Sequence, residues 1–279
     1  PGLSSWSCAG ISPVLDLLDP YFSRVSSHPL GDNRGPESQP WRVEWVESTG
    51  STNDDVLARA RAGEAAGLVI ATGDQQAGHG RQGRTWVAPA GSALAMSVLL
   101  RPTRPASAWS LVPLICGVAV QRALAGFGLV DRVKLKWPND VLVDVDERKV
   151  CGILCVATDD AVVAGIGINT AMTQAQLPIA TATSLHLLGI EVDERDLCDQ
   201  VLAELDSMLT MFEAGDDAGI LAAYRAVSAT LGRAVVAHTP SGEMTGVASE
   251  IADDGSLVLE TAEGMAHISA ADVIHLRSA

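Results

Sequence analysis

From Trp41 onward, apolar and polar positions fall into short regular runs. Val43-Glu44-Trp45-Val46 alternates as a strand does, Ser51 or Thr52 is placed to cap a helix running to Ala62, and Gly67 to Ala71 resumes as a strand. The glycine-dense segment Gly73 to Gly91 has no period of either kind and is expected to form a long loop. Ala93 to Leu100 is an unbroken apolar run, the pattern of a strand buried on both faces. Trp109 to Phe127 has helical spacing and closes at Gly126 and Gly128. Four extended pieces follow, Val133 to Trp137, Val141 to Val143, Val150 to Ala157 and Ala161 to Ile168, with turn signals at Asp144 to Glu147 and at Asp159-Asp160. They predict hairpins of one sheet.

Asp193 to Phe212 and Ala218 to Leu231 return to helical spacing, with Glu204 and Asp206 on the outer face. Beyond Gly232 the runs Ala234 to His238, Met244 to Ile251, Ser256 to Glu260, Met265 to Ser269 and Val273 to Leu276 are separated by glycine turns. That texture suits a small β-barrel of about fifty residues. Ahead of Trp41, Pro13, Pro20, Pro29, Pro36 and Pro40 leave room only for a short helix over Val14 to Phe22. The expected organisation is an irregular extension over 1–40, a principal domain over 41–230 and a small β-domain over 231–279.

With 279 residues, 47% of them hydrophobic and 19% charged, the chain is long and apolar enough for one large core and a small second one. Thirty-four acidic residues against 19 basic ones give a net charge of −15, which repels a phosphate backbone and argues against a nucleic-acid partner. The longest apolar run, Leu111 to Val120, is short of the ~20 residues that span a bilayer, so no membrane association is expected. The first positive side chain is Arg24, and no secretory signal is visible. Cys8, Cys116, Cys151, Cys155 and Cys198 are odd in number and irregular in spacing, which reads as reduced thiols in a cytoplasm.

Gly78-His79-Gly80-Arg81-Gln82-Gly83 has the letters of a dinucleotide-binding turn, but Pro89 and Gly91 stand where its helix would open, and no acidic residue follows about 20 positions on. No lysine follows a glycine, so there is no Walker A loop. The segment reads either as a loop whose N–H groups, Arg81 and Arg84 close over an anion, or as a solvated surface loop. Lysine use adds to the first reading. Against sixteen arginines there are three lysines, Lys134, Lys136 and Lys149, all in one stretch where a compact point charge would have a purpose; chance clustering is the alternative.

Lys136-Trp137-Pro138-Asn139-Asp140 ends a strand in a rigid turn, where Asp140 can hold Mg²⁺ or orient a base; it can equally be a plain Asn-Asp turn. Gly165-Ile166-Gly167-Ile168-Asn169 either lets a planar ligand approach closely or forms a tight strand corner. Ser51-Thr52-Asn53 can cap a helix and bind a polar head group at once. The six histidines show no metal spacing, and Cys151 and Cys155 in one strand read as core packing.

In series, Ser51-Thr52-Asn53, the segment from Gln75 to Trp86, Lys136 to Asp140, Lys149-Val150-Cys151-Gly152-Ile153-Leu154 and Gly165 to Asn169 resemble the biotin–protein ligases over residues 42 to 276. The resemblance implies an α+β fold, with a mixed, mostly antiparallel sheet flanked by helices in the manner of class II synthetases and a C-terminal SH3-like barrel. It implies a two-step acyl transfer: biotin and ATP give biotinyl-5′-AMP, and a lysine of the biotin carboxyl carrier domain of an acyl-CoA carboxylase then takes the biotinyl group, with Mg²⁺ as cofactor. Longer members add a winged helix that represses transcription, for which the proline-broken first forty residues leave no room, so a ligase alone is expected.

By the same resemblance Lys149, Arg81 and Asp140 carry the catalysis, Asp140 also serving the metal. Ser51, Thr52, Asn53, Gln75, His79, Gly80, Arg81, Lys149, Gly152 and Leu154 would bind biotin, and Arg81, Arg84, Trp86, Lys136, Asn139, Lys149 and Asn169 would bind ATP. Two residues depart from the family pattern. His79 stands where arginine is usual, making one loop charge conditional on pH. Cys151 replaces a smaller residue, which narrows the site or shifts the strand. A lipoate–protein ligase of the same fold is the alternative enzyme and would need an apolar head-group pocket; a ligand sensor is the non-enzymatic one.

Overall fold

The chain divides into two units, Pro1–Glu37 and Ser38–Ala279. The computed structural model describes residues 41–144, 146–239, 242–269 and 271–276, all within the second unit. The expected extension over 1–40, its helix over Val14 to Phe22 and Cys8 lie outside the described residues.

A seven-stranded sheet forms the centre, built from β1 (Arg42–Trp45), β2 (Leu68–Thr72), β5 (Ala93–Leu100), β6 (Val133–Lys136), β7 (Asp140–Val143), β8 (Arg148–Ala157) and β9 (Val162–Asn169), in the order β1-β2-β5-β9-β8-β7-β6. Only β1 and β2 run parallel; the remaining pairs are antiparallel. The hairpins expected over 133–168 are thus present as β6 to β9. The glycine-dense segment is less irregular than its composition predicts, because Gly78–His79 (β3) and Thr85–Trp86 (β4) pair as a short antiparallel ribbon.

Side-chain alternation divides the sheet into two faces. Val69, Ala71, Leu94, Met96, Val98, Ala164, Ile166 and Ile168 join the large core formed with α2 (Val112–Leu124), α3 (Glu194–Glu213) and α4 (Asp217–Ala226). Leu68, Ile70, Leu99 and Val163 point the other way, onto Val56 and Ala60 of α1 (Thr52–Arg61). The expected helix over Trp109 to Phe127 is observed as α2, preceded by a 3₁₀ turn over Ala106–Leu111 and ended by a wide turn over Ala125–Leu129. Pro113 fits the first turn, where no amide donor is needed, and Gly128 supplies the left-handed φ of +91° that ends the helix. The continuous stretch Ala106–Leu129 is long and apolar enough by composition to cross a bilayer, yet ten of the thirteen α2 residues are buried against the sheet and α3.

The last strands, β10 (Ala234–Thr239), β11 (Gly242–Ile251), β12 (Leu257–Thr261), β13 (Gly264–Ile268) and β14 (Asp272–His275), form an antiparallel sheet in the order β13-β12-β11-β10-β14. It docks on the turn between β6 and β7. Trp137, 2% exposed, donates from Nε1 to Gly255 O at 3.0 Å, and its backbone N–H donates to Thr230 Oγ1 at 2.9 Å.

Candidate active site

On the α1 face, the middle strands of the sheet carry small residues where the other face carries large ones. Cross-strand register aligns Ser97, Gly165 and Leu154 in one row, and Ala95, Gly167, Gly152 and Asp140 in the next. The missing bulk leaves a cavity of about 250 Å³ whose walls include α1, the β3–β4 ribbon and the start of β8. A Cβ at Gly165 would stand 2.4 Å from Asn53 Oδ1, one at Gly167 would stand 2.8 Å from the Trp86 ring, and one at Gly152 would stand 3.1 Å from Lys149 Nζ. The close approach that the sequence suggested for a planar ligand at Gly165 and Gly167 is therefore made by the protein's own Asn53 and Trp86.

One end of the cavity is a closed polar network. Ser51 caps α1, its hydroxyl accepting from Asp54 N–H, which turns Thr52 and Asn53 inward from the first helical turn. Gln75 Oε1 accepts from the Thr52 backbone N–H at 2.8 Å. Ser97 Oγ lies 2.7 Å from Thr52 Oγ1 and donates to Asn53 Oδ1 at 2.8 Å, and Asn53 Nδ2 donates to Leu154 O at 3.1 Å.

The other end is cationic. Lys149 owes its direction to a β-bulge: Val141 pairs with Cys151 and Leu142 with Lys149, so Val150 is an extra residue. In a regular strand Lys149 would face opposite to Gly152; the extra residue inverts the alternation and brings its ammonium over Gly152. The backbone of Lys149 is gripped by the segment beyond, donating to Thr181 O and accepting from Thr183 N–H. Its Nζ meets Asp140 Oδ1 at 2.6 Å. Cys151 is turned into the core, where burial pushes its thiol well above the ordinary range, so it remains protonated and unreactive.

Arg81 leaves the ribbon turn and donates from Nη1 to Asn139 Oδ1 at 3.1 Å and to Ala271 O at 3.0 Å, tying the glycine loop to both the β6–β7 turn and the C-terminal sheet. Asn139 is held in turn, its Nδ2 donating to Ile153 O, so its side-chain amide positions Arg81. His79 Nε2 lies 2.9 Å from Asp54 Oδ2 on α1, a largely exposed pair. Asn169 Nδ2 donates to Thr183 O at 2.8 Å.

Of the residues singled out in the sequence, Ser51, Thr52, Asn53, Gln75, His79, Gly80, Arg81, Arg84, Trp86, Asn139, Asp140, Lys149, Gly152, Leu154 and Asn169 all line this cavity. Lys136 does not: it pairs with Asp140 and shares that face of the sheet, but it stands one strand further out, on the edge strand β6, and its charge acts on His275 of β14. The lysine cluster therefore delivers one cavity residue, not three. Ser97, Val87 and the Pro178-Ile179 pair were missed; Ser97 was hidden in an apolar strand, where only its polarity among hydrophobic neighbours could have marked it.

Residues 45–172 match the model of the biotin/lipoate A/B protein ligase family, and residues 230–276 match the biotin protein ligase C-terminal domain. The biotin–[acetyl-CoA-carboxylase] ligase of Mycobacterium tuberculosis is 38% identical over 245 residues, 85% of this chain and 90% of that protein. The chain belongs to the biotin protein ligase family. The ligase of the same description from Paracoccus denitrificans is 34% identical, over 81% of this chain and 97% of that one. Among solved structures, the Aquifex aeolicus biotin protein ligase in complex with biotin and ATP superposes with a TM-score of 0.72 at 26% identity, covering 85% of this chain and 99% of that one. The fold expected from the resemblance, a mixed sheet with flanking helices and a C-terminal β-domain, is the fold observed.

Proposed function

We propose that this ligase joins biotin to ATP as biotinyl-5′-AMP in this cavity, releasing pyrophosphate, and then transfers the biotinyl group to a lysine of a biotin carboxyl carrier domain, releasing AMP. The observation that carries the reading is the polarity of a single hollow: a hydrogen-bonding end at Thr52, Asn53 and Gln75, and a cationic end at Lys149 and Arg81. A urea head group suits the first and a carboxylate meeting an α-phosphate suits the second. The first step drives one anion onto a polyanion inside a chain of net charge −15, so fixed local cations must offset the repulsion.

In this reading Lys149 bridges carboxylate and α-phosphate, and Asp140 holds the ammonium in place. Arg81 closes the glycine loop over the adenylate, Trp86 and Asn169 meet the adenine, and Arg84 faces the phosphates. Asp140 is a part-buried single carboxylate, which fits Mg²⁺ held mainly by substrate phosphates and water, and no cluster of three or more protein ligands exists among the described residues. Mg²⁺ there would neutralise phosphate charge. The polar end disfavours lipoate, whose dithiolane needs an apolar pocket. The carrier domain is the acceptor, and the cytoplasm is the setting.

The experiment combines protein, biotin, ATP, Mg²⁺ and a carrier domain, with pyrophosphate release and carrier mass as readouts. Lys149→Ala should slow pyrophosphate release by about 100-fold or more with an unchanged melting temperature. A wild-type protein that modifies the carrier with lipoate and not with biotin would overturn the assignment.

A further inference from the structure

Ser97 is fully buried on β5, directly across the sheet from Gly165, and carries the only side-chain hydroxyl of that strand. Its position fixes the protons of the network around it. Leu154 O can only accept, so Asn53 must turn its Nδ2 toward it and present Oδ1 to Ser97. Asn53 Oδ1 also only accepts, so the single Ser97 proton goes to Asn53. Ser97 Oγ, 2.7 Å from Thr52 Oγ1, must then receive the Thr52 proton. The competing acceptor for that proton, Gln75 Oε1, is farther, at 3.1 Å, and already accepts the Thr52 backbone N–H at 2.8 Å.

We infer that Ser97 is a positioning residue that sets the hydrogen-bond polarity of the biotin pocket. By taking the Thr52 proton it leaves Thr52 Oγ1 with lone pairs alone toward the cavity, so that this hydroxyl accepts an N–H from the ligand and cannot donate to one. The chemistry selected is a ring N–H, as in a cyclic urea, against a ring oxygen or sulfur at the same place. This inference rests on the proposal that biotin occupies the cavity. Gly165 belongs to the same device, because any side chain there would displace Asn53 and break the proton order.

The test measures calorimetric affinity for biotin and for its two cyclic carbamate analogues, in which one or the other urea N–H is replaced by oxygen. Wild type should bind one carbamate about tenfold or more weaker than biotin, since lone pairs then face lone pairs. In Ser97→Ala the Thr52 proton loses its nearer acceptor and is shared between Gln75 Oε1 at 3.1 Å and the ligand, so that ratio should shrink by about twofold or more while ATP affinity holds. Thr52→Val, which removes the acceptor, should shrink it too, and it serves if Ser97→Ala does not fold. A Ser97→Ala protein that loses affinity for biotin and both carbamates by one common factor overturns the inference, because that is what a merely structural residue does. A wild type that fails to bind biotin at all instead overturns the functional reading.

Discussion

Replacing Gly165 by alanine puts a methyl group where the structure has none to spare. The new Cβ would lie 2.4 Å from Asn53 Oδ1 and 2.8 Å from its Cγ and Nδ2. Asn53 cannot step aside without giving up its bonds to Ser97 and Leu154, and it is held on the first turn of α1 in a site 8% exposed. Two buried hydrogen bonds at about 1 kcal/mol each, with about 1–3 kcal/mol of overpacking, set the loss. Restriction of the unfolded chain by alanine returns about 0.5 kcal/mol. The net destabilisation is about 2.5–4.5 kcal/mol, visible as a lower urea midpoint at unchanged slope. Biotin affinity measured on the folded fraction should fall as well, because Thr52 and Asn53 move together. A variant with the wild-type midpoint and wild-type biotin affinity would show that Asn53 is not pinned as described.

Gly167→Ala, two residues along the same strand, should behave differently. Its methyl would meet the Trp86 ring at 2.8 Å, but Trp86 belongs to the short ribbon and can lift with it. The urea midpoint should shift by less than about 1 kcal/mol equivalent while ATP affinity weakens several-fold, and a large loss of stability would contradict the assignment of Trp86 to a yielding element. Acid should destabilise the C-terminal junction through His275. Burial, opposed by Glu147, holds this side chain below its ordinary value, so the folded state binds fewer protons than the unfolded one, and stability falls as pH drops through about 6.5. His275→Gln should reduce the drop in melting temperature between pH 7.5 and 5.5; an identical drop would rule His275 out as its source.

Most of the fold was legible from period alone, since β5, β8 and β9 are buried strands of the expected length and the last five strands are separated by glycine turns. What period could not reveal were features made by tertiary contact. The β3–β4 ribbon forms in a segment with no strand pattern because Trp86 finds a flat seat over Gly167, and no local preference encodes that seat. The glycines of β9 were legible as an approach site, but the approaching groups are Asn53 and Trp86 from over eighty positions away in the chain. Lys136 shares the sheet face of Asp140 but stands on the edge strand β6, and closeness in sequence does not say how far across the sheet a side chain lies from the cavity.

The bulge at Val150 makes the aim of Lys149 a matter of counting as well as chemistry. Any substitution at Val150 leaves the tally of positions between Lys149 and Gly152 intact, whereas losing or gaining one residue there would turn the amine to the opposite side of the sheet with every side-chain type preserved. Beyond the identities of Lys149 and Gly152, this segment is therefore held to a fixed length, a constraint that a residue-by-residue scan of substitutions would never expose.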